Sequence, residues 1–165
     1  MKNFILTISL YLAFNGISAQ NLDTIPRDGF SFPIRSKLIL KMVETDSAKY
    51  KYYILSYEPF DTIINTHEEN SYLSEKPANN TIELLFCVGT HGETQKEKDK
   101  NLETLLILKN GMKDPIQYKA DIIKYPKENF ESTSVVPLYP GALTREMWPY
   151  FITEIGLHDF QKLKH

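Results

Sequence analysis

The chain has 165 residues, 24% of them charged, a formal net charge of −2 and a single cysteine. A charge so close to balance gives no long-range field for capturing DNA, RNA or an anionic membrane, which excludes nucleic acid as the expected partner. One cysteine cannot close an intrachain disulfide, and a chain of this length buries enough surface to hold a core without a disulfide or a metal.

The sequence opens MKNFILTISLYLAFNGISAQ. Lys2 supplies a positive start, and Phe4 to Phe14 form an apolar stretch too short to span a bilayer. Gly16-Ile17-Ser18-Ala19 then offers the small residues that a signal peptidase accepts. This predicts a signal peptide over residues 1–19, a mature chain beginning at Gln20, and a secreted or periplasmic location. No second apolar run of spanning length follows, so no membrane span is expected. Residues 20–36 contain two prolines and an Asp28-Gly29 step. They read as an N-terminal leader or edge segment ordered around Phe30 and Phe32, and residues 37–165 read as a single domain.

From Lys37 the alternation puts Leu38, Leu40 and Met42 on one face, which is the period of a strand. TDSAK supplies a turn, and YKYYILSYEPF forms a second strand ended by Pro59. Its tyrosines, Tyr50, Tyr52, Tyr53 and Tyr57, fall on both faces. Residues 61–80 are polar, with Ile63-Ile64 and Tyr72-Leu73 as apolar anchors, and connections of that length are functional or mobile. TIELLFCV places Ile82, Leu84, Phe86 and Val88 on one face. LETLLILK places Leu102, Thr104, Leu106 and Leu108 on one face, with Leu105 and Ile107 on the other. The intervening GTHGETQKEKDKN reads as a solvated arm.

Asn110-Gly111 is the sharpest turn signal. IQYKADIIKY then turns Ile116, Tyr118, Ala120 and Ile122 inward. STSVVPLYPG reads as an edge strand broken by prolines. TREMWPY is expected to make one helical turn before Pro149, and FITEIGLHDF closes the chain with Phe151, Ile155 and Leu157 inward. Roughly seven or eight short strands, with no helical period beyond about two turns, predict an all-β fold. The expected form is a two-sheet, mostly antiparallel, immunoglobulin-like β-sandwich, with a small open β-barrel as the alternative.

The stretch from TLLILKNGMKDPIQYKADI through TSVVPLYPG to EMWPYFITEIGLHDF, with a signal ending Ser18-Ala19-Gln20, resembles small exported β-sandwich proteins of Bacteroidetes-type bacteria. The resemblance covers about half the chain and implies the fold and the export. It carries no activity and no functional residue.

The candidate chemistry is sparse. Cys87 and His91 are four positions apart, but an extended strand carries the chain about 13 Å in that distance. Cys87 therefore reads as a buried strand residue rather than a thiolate paired with imidazole. His67, His91, His158 and His165 lack the paired spacing of a zinc site, although His67 and His91 lie in loops that could meet. No calcium loop, phosphate loop or nucleophile elbow occurs, so no catalytic residue, metal ligand set or cofactor is predicted. Aromatic residues offer the binding candidates. Tyr53, Tyr57 and Trp148 could form a ligand platform, with Trp148 alternatively plugging the core, and Tyr139 marks a protein-binding edge. The expected function is a non-catalytic exported domain with a structural or protein-binding role in the bacterial envelope, its partner an envelope or secreted protein. The alternatives are a carbohydrate or small-ligand binding module and a small metal-dependent or carboxylate hydrolase requiring His67 or His91 beside a carboxylate.

Overall fold

The computed structural model describes residues 24–66 and 72–163. The predicted signal over 1–19, and His67 and His165, lie outside the described residues. The elements are β1 (Gly29–Pro33), β2 (Ser36–Glu44), β3 (Tyr50–Pro59), β4 (Ile64–Asn65), β5 (Thr81–Thr90), α1 (Gln95–Lys100), β6 (Glu103–Asn110), β7 (Ile116–Lys124), β8 (Glu131–Thr133), β9 (Leu143–Trp148) and β10 (Ile152–Lys162). They form a two-sheet, all-β sandwich. The larger sheet runs β3-β2-β5-β6-β9, with β4 joined to β5, and the smaller runs β1-β10-β7-β8. Every pairing is antiparallel except that of β4 with β5.

The core lies between the sheets and follows from the strand alternation. Leu38, Leu40, Ile82, Leu84, Phe86, Leu106, Tyr118, Ile122 and Leu157 are all buried there. At about 25 cal/mol per Å² of apolar surface removed from water, this layer is the main favourable term holding the sheets together. The centre of the larger sheet is buried on both sides, since every residue of β5 is buried. Its outer face carries Leu85, Cys87, Leu105 and Ile107, and these are covered by Ile64, Phe60, Tyr72 and Leu73. The polar connection thus packs through its sparse apolar anchors, with Phe60 and Tyr72 edge-to-face at 5.2 Å. Glu83, buried in β5, ties the same segment down by accepting the Ser74 N–H at 2.8 Å. Of the neighbouring pair, Ile64 is buried and Ile63 is exposed.

Several local expectations are corrected. TREMWPY contributes no helical turn; Leu143 to Trp148 pair with β6 as a strand, because the inward alternation of Thr144 and Trp148 lets the segment extend the larger sheet. Asn110-Gly111 does not join a hairpin, since β6 and β7 belong to different sheets and the connection crosses between them. Phe151 faces solvent, because a register shift between Ile152 and Glu154 reverses the phase before Ile155 and Leu157. The expected solvated arm contains α1, capped by Thr94 and Glu97 in a reciprocal box. The Thr-x-x-Glu spacing was the available signal for it. Leu102 lies exposed, before the start of β6.

The sandwich is closed at one corner by the N-terminal chain. Arg27 pairs with Tyr52 of the larger sheet, and two residues later Gly29 pairs with His158 of the smaller one. Among the described residues no helix is long and apolar enough to cross a membrane.

Candidate functional site

The Cys87–His91 pair does not form a reacting couple. Cys87 is fully buried in the outer-face cluster of the larger sheet. Burial pushes its thiol up to about 12, so the thiolate is disfavoured at neutral pH. His91 lies just beyond β5, with Nδ1 at 3.5 Å from a Glu103 carboxylate oxygen. His67 is outside the described residues, so its convergence with His91 is not described. Among the described residues, no group of three or more His, Cys, Asp or Glu side chains is placed to hold a metal ion.

The aromatic candidates are not brought together. Tyr53 and Tyr57 lie on β3, at one edge of the larger sheet, and Trp148 lies on β9, at the opposite edge. Their spacing of four would put Tyr53 and Tyr57 on one face of a regular strand. A bulge leaves Leu55 without a partner on β2, so Tyr53 registers with Lys41 and Tyr57 with Leu38 on opposite faces. Trp148 faces the interior with 6% of its surface exposed, and its indole N–H donates to the Thr133 hydroxyl at 3.1 Å. It therefore plugs the β8–β9 side of the core and offers no exposed platform.

Tyr139 is exposed, but its segment is not a simple edge strand. Leu138 exchanges backbone hydrogen bonds with Ile116, and Pro140 bridges to Asn110. The adjacent edge belongs to β9, which among the described residues pairs only with β6. The Tyr139 carbonyl accepts the Ala142 N–H in the turn that leads into β9. The Val136 N–H donates to the Glu146 carboxylate of β9. Partial burial raises the Glu146 carboxyl above its ordinary range, with that N–H acting in the opposite direction. Around this edge stand Val136, Tyr139, Leu143 and Met147, exposed by 51, 53, 42 and 56%.

A second polar site lies on the outer face of the smaller sheet and was missed in the sequence, because its residues come from three strands. His158 Nε2 is 3.0 Å from one oxygen of Asp121, and the Ser132 hydroxyl donates to the other at 2.6 Å. Lys119 donates to Asp159 at 2.7 Å. The Ser132 bond, with a further contribution from His158, holds the Asp121 carboxyl below its usual range against partial desolvation. Serine and imidazole both meet the carboxylate. A serine nucleophile instead needs its proton directed to the imidazole, so this geometry makes Asp121 a structural hub.

Beside that network a cleft of about 250 Å³ opens at the closed corner, between Asp28, the β2–β3 turn and the Asp159–Gln161 stretch of β10. It can accept a small ligand, and among the described residues lining it no nucleophile is paired with a base. No family model matches this chain, and no curated protein or solved structure matches it either.

Proposed function

We propose that this chain is an exported, non-catalytic binding domain of the bacterial envelope that holds a protein partner by adding an extended strand to the β9 edge. The observation that carries this reading is that β9, among the described residues, pairs with another strand on one side only. In an antiparallel edge strand, every second residue turns its N–H and C=O away from the sheet and can pair with an added strand. Sheet edges are normally blunted by bulges, prolines, charges or short length. Here β3 carries the Leu55 bulge and the Arg27 bridge, β8 is three residues long beside Lys124 and Lys127, and β1 ends in Pro33. By contrast, β9 has six residues, contains no proline and is rimmed by the four exposed apolar side chains; its two charges are of opposite sign, Arg145 and Glu146, and the Glu146 carboxylate accepts the Val136 N–H. Main-chain pairing would supply affinity, and pockets in the partner for Leu143, Met147 and Tyr139 would supply selectivity.

The export expected from residues 1–19 is part of this proposal, since it places the edge where envelope or secreted proteins could reach it. The immunoglobulin-like arrangement is kept as part of the same reading, as a scaffold that presents edges and end loops.

The test is affinity capture from the native envelope with the wild-type domain beside a Leu143→Lys/Met147→Lys variant, followed by hydrogen exchange on the complex. The expected result is a partner lost in the variant, with new protection confined to Leu143–Trp148. A partner retained by the variant, or protection elsewhere, would overturn the reading. Self-association of the purified protein through β9 would replace the foreign partner with a second copy.

A further inference from the structure

We infer that the cleft at the closed corner is a binding site for a neutral saccharide unit, separate from the β9 edge and from Tyr53, Tyr57 and Trp148. The cleft is assembled by three segments that the fold holds in place. The N-terminal chain contributes Asp28 as it crosses from one sheet to the other. The β2–β3 turn contributes Thr45, Lys49 and Tyr50, and β10 contributes Asp159, Phe160 and Gln161.

The β10 part of the cleft is created by a bulge. Its register against β7 slips between His158 and Gln161, and Asp159 adopts φ of 54°. Bulges re-aim side chains and concentrate beside functional sites. This one turns Asp159 to the surface while Phe160 is buried in the core, edge-on to Tyr52 and stacked on Tyr118. The Asp46 carboxylate fixes the turn by accepting the Ala48 and Lys49 N–H groups, each at 2.9 Å. The backbone bridge between Lys49 and Gln161 joins the two walls. The cleft is therefore built before any ligand arrives, which lowers the cost of ordering on binding.

Its chemistry selects the ligand class. Asp28 lies 3.4 Å from Lys51, and Asp159 lies 2.7 Å from Lys119. These two acids are thus balanced by lysines, and the charge of Lys49 acts on the neighbouring Asp46 carboxylate, so no excess of one sign is left to hold a phosphate or an amine. What remains is a mixture of acceptors on Asp28 and Asp159, donors on Lys49, and the Thr45 hydroxyl and Gln161 amide, which can do both. Vicinal sugar hydroxyls also donate and accept at once. Tyr50 and Phe160 also line the cleft but are only 6% and 1% exposed, so recognition there rests on the polar groups rather than on an aromatic ring face. The volume of about 250 Å³ lies below the roughly 300–1,000 Å³ usual for drug-sized ligands, which suits one sugar unit rather than a long chain.

The experiment is an amide chemical-shift titration of the purified protein with glucose, galactose, mannose, N-acetylglucosamine, maltose and lactose, beside inorganic phosphate and butylammonium. At least one sugar is expected to give saturable shifts at Thr45, Lys49, Tyr50 and Gln161. Asp159→Asn retains a residue type that tolerates left-handed backbone, and it and Lys49→Met should each weaken that binding roughly tenfold while preserving the spectrum elsewhere. Met147→Lys should leave it unchanged. The inference is overturned if no sugar shifts these amides at concentrations up to about 50 mM, if the shifts map elsewhere, or if phosphate or butylammonium binds there more tightly than every sugar.

Discussion

Tyr52 and Tyr118 flank the same ring, Phe160, one edge-on at 75° and the other stacked at 11°, but they differ in their hydroxyls. The Tyr52 hydroxyl donates to the Leu157 carbonyl at 2.7 Å and accepts the Phe30 N–H at 2.8 Å, which links β3 to both β1 and β10. The Tyr118 hydroxyl is buried and has no hydrogen-bond partner among the described residues. Burial raises both phenols above their ordinary range. Tyr52→Phe should therefore cost about 1–3 kcal/mol, because it orphans a half-buried donor and a buried acceptor. Tyr118→Phe removes only an unpaired group and should be within about 0.5 kcal/mol of neutral, or stabilising. Urea unfolding of the two variants checks the contrast; equal losses would refute it.

Gly111 should not tolerate alanine. A Cβ there would stand 2.4 Å from the Ala78 carbonyl oxygen and 2.9 Å from that of Thr81. Both obstacles are backbone, and Gly111 itself donates its N–H to Thr81 at 2.9 Å. Thermal unfolding of Gly111→Ala should show a loss of about 1–3 kcal/mol or more from overpacking.

The Asp121 hub predicts an acid response. Its carboxyl is held below the ordinary value of 3.8, chiefly by the Ser132 hydroxyl and then by His158. The unfolded chain therefore binds a proton more readily, and the stabilisation is present above that value and lost as pH falls through the folded one. The side chain is one-third exposed, so solvent screening limits the effect to about 1 kcal/mol or less. Asp121→Asn should be less stable at neutral pH and show a shallower acid limb in unfolding measured from about pH 6 to pH 2.

Cys87 should resist thiol reagents in the native state and react once denatured. Its thiol is raised from 9.0 to about 12 by desolvation. The folded state thus holds the proton more tightly, so this contribution is full below pH 9.0 and is lost as pH rises toward about 12. Cys87→Ala should flatten that alkaline decline and cost about 1–3 kcal/mol through the cavity it leaves. Rapid native labelling at neutral pH would contradict the packing described for this strand.

Met147→Lys should leave stability within about 0.5 kcal/mol, because the side chain is exposed by 56% and faces solvent from an edge strand. Retained stability with loss of the partner would separate a binding defect from a folding defect.

Alternation was the legible signal. In β7, the pattern Ile116, Tyr118, Ala120, Ile122 inward and Gln117, Lys119, Asp121 outward reads directly, because a regular strand repeats every two residues and one face must be dry. The same period placed the buried positions of β2 and β5 and showed Cys87 to be a strand residue. The candidate sites were much less legible. Tyr139 and its proline-marked segment lie beside a sheet edge, but that edge is β9, which read as a helical turn.

By itself, then, the sequence determined that most of these segments are strands and which of their faces are apolar, and it left a two-sheet sandwich and a small open barrel both available. Tertiary structure alone decided where that period breaks and which strands meet. The bulges at Leu55, Thr153 and Asp159–Phe160 each shift the phase by one residue. The period cannot announce them, because a bulge is stabilised by what packs around it. Asn110-Gly111 encodes a change of direction, but whether the chain returns to the same sheet or crosses to the other depends on contacts such as the Asn110 amide donating to Leu138 at 3.0 Å. The corner cleft joins Asp28, Lys49 and Asp159, residues far apart in the chain, and no local pattern could specify a site whose members meet only when both sheets close.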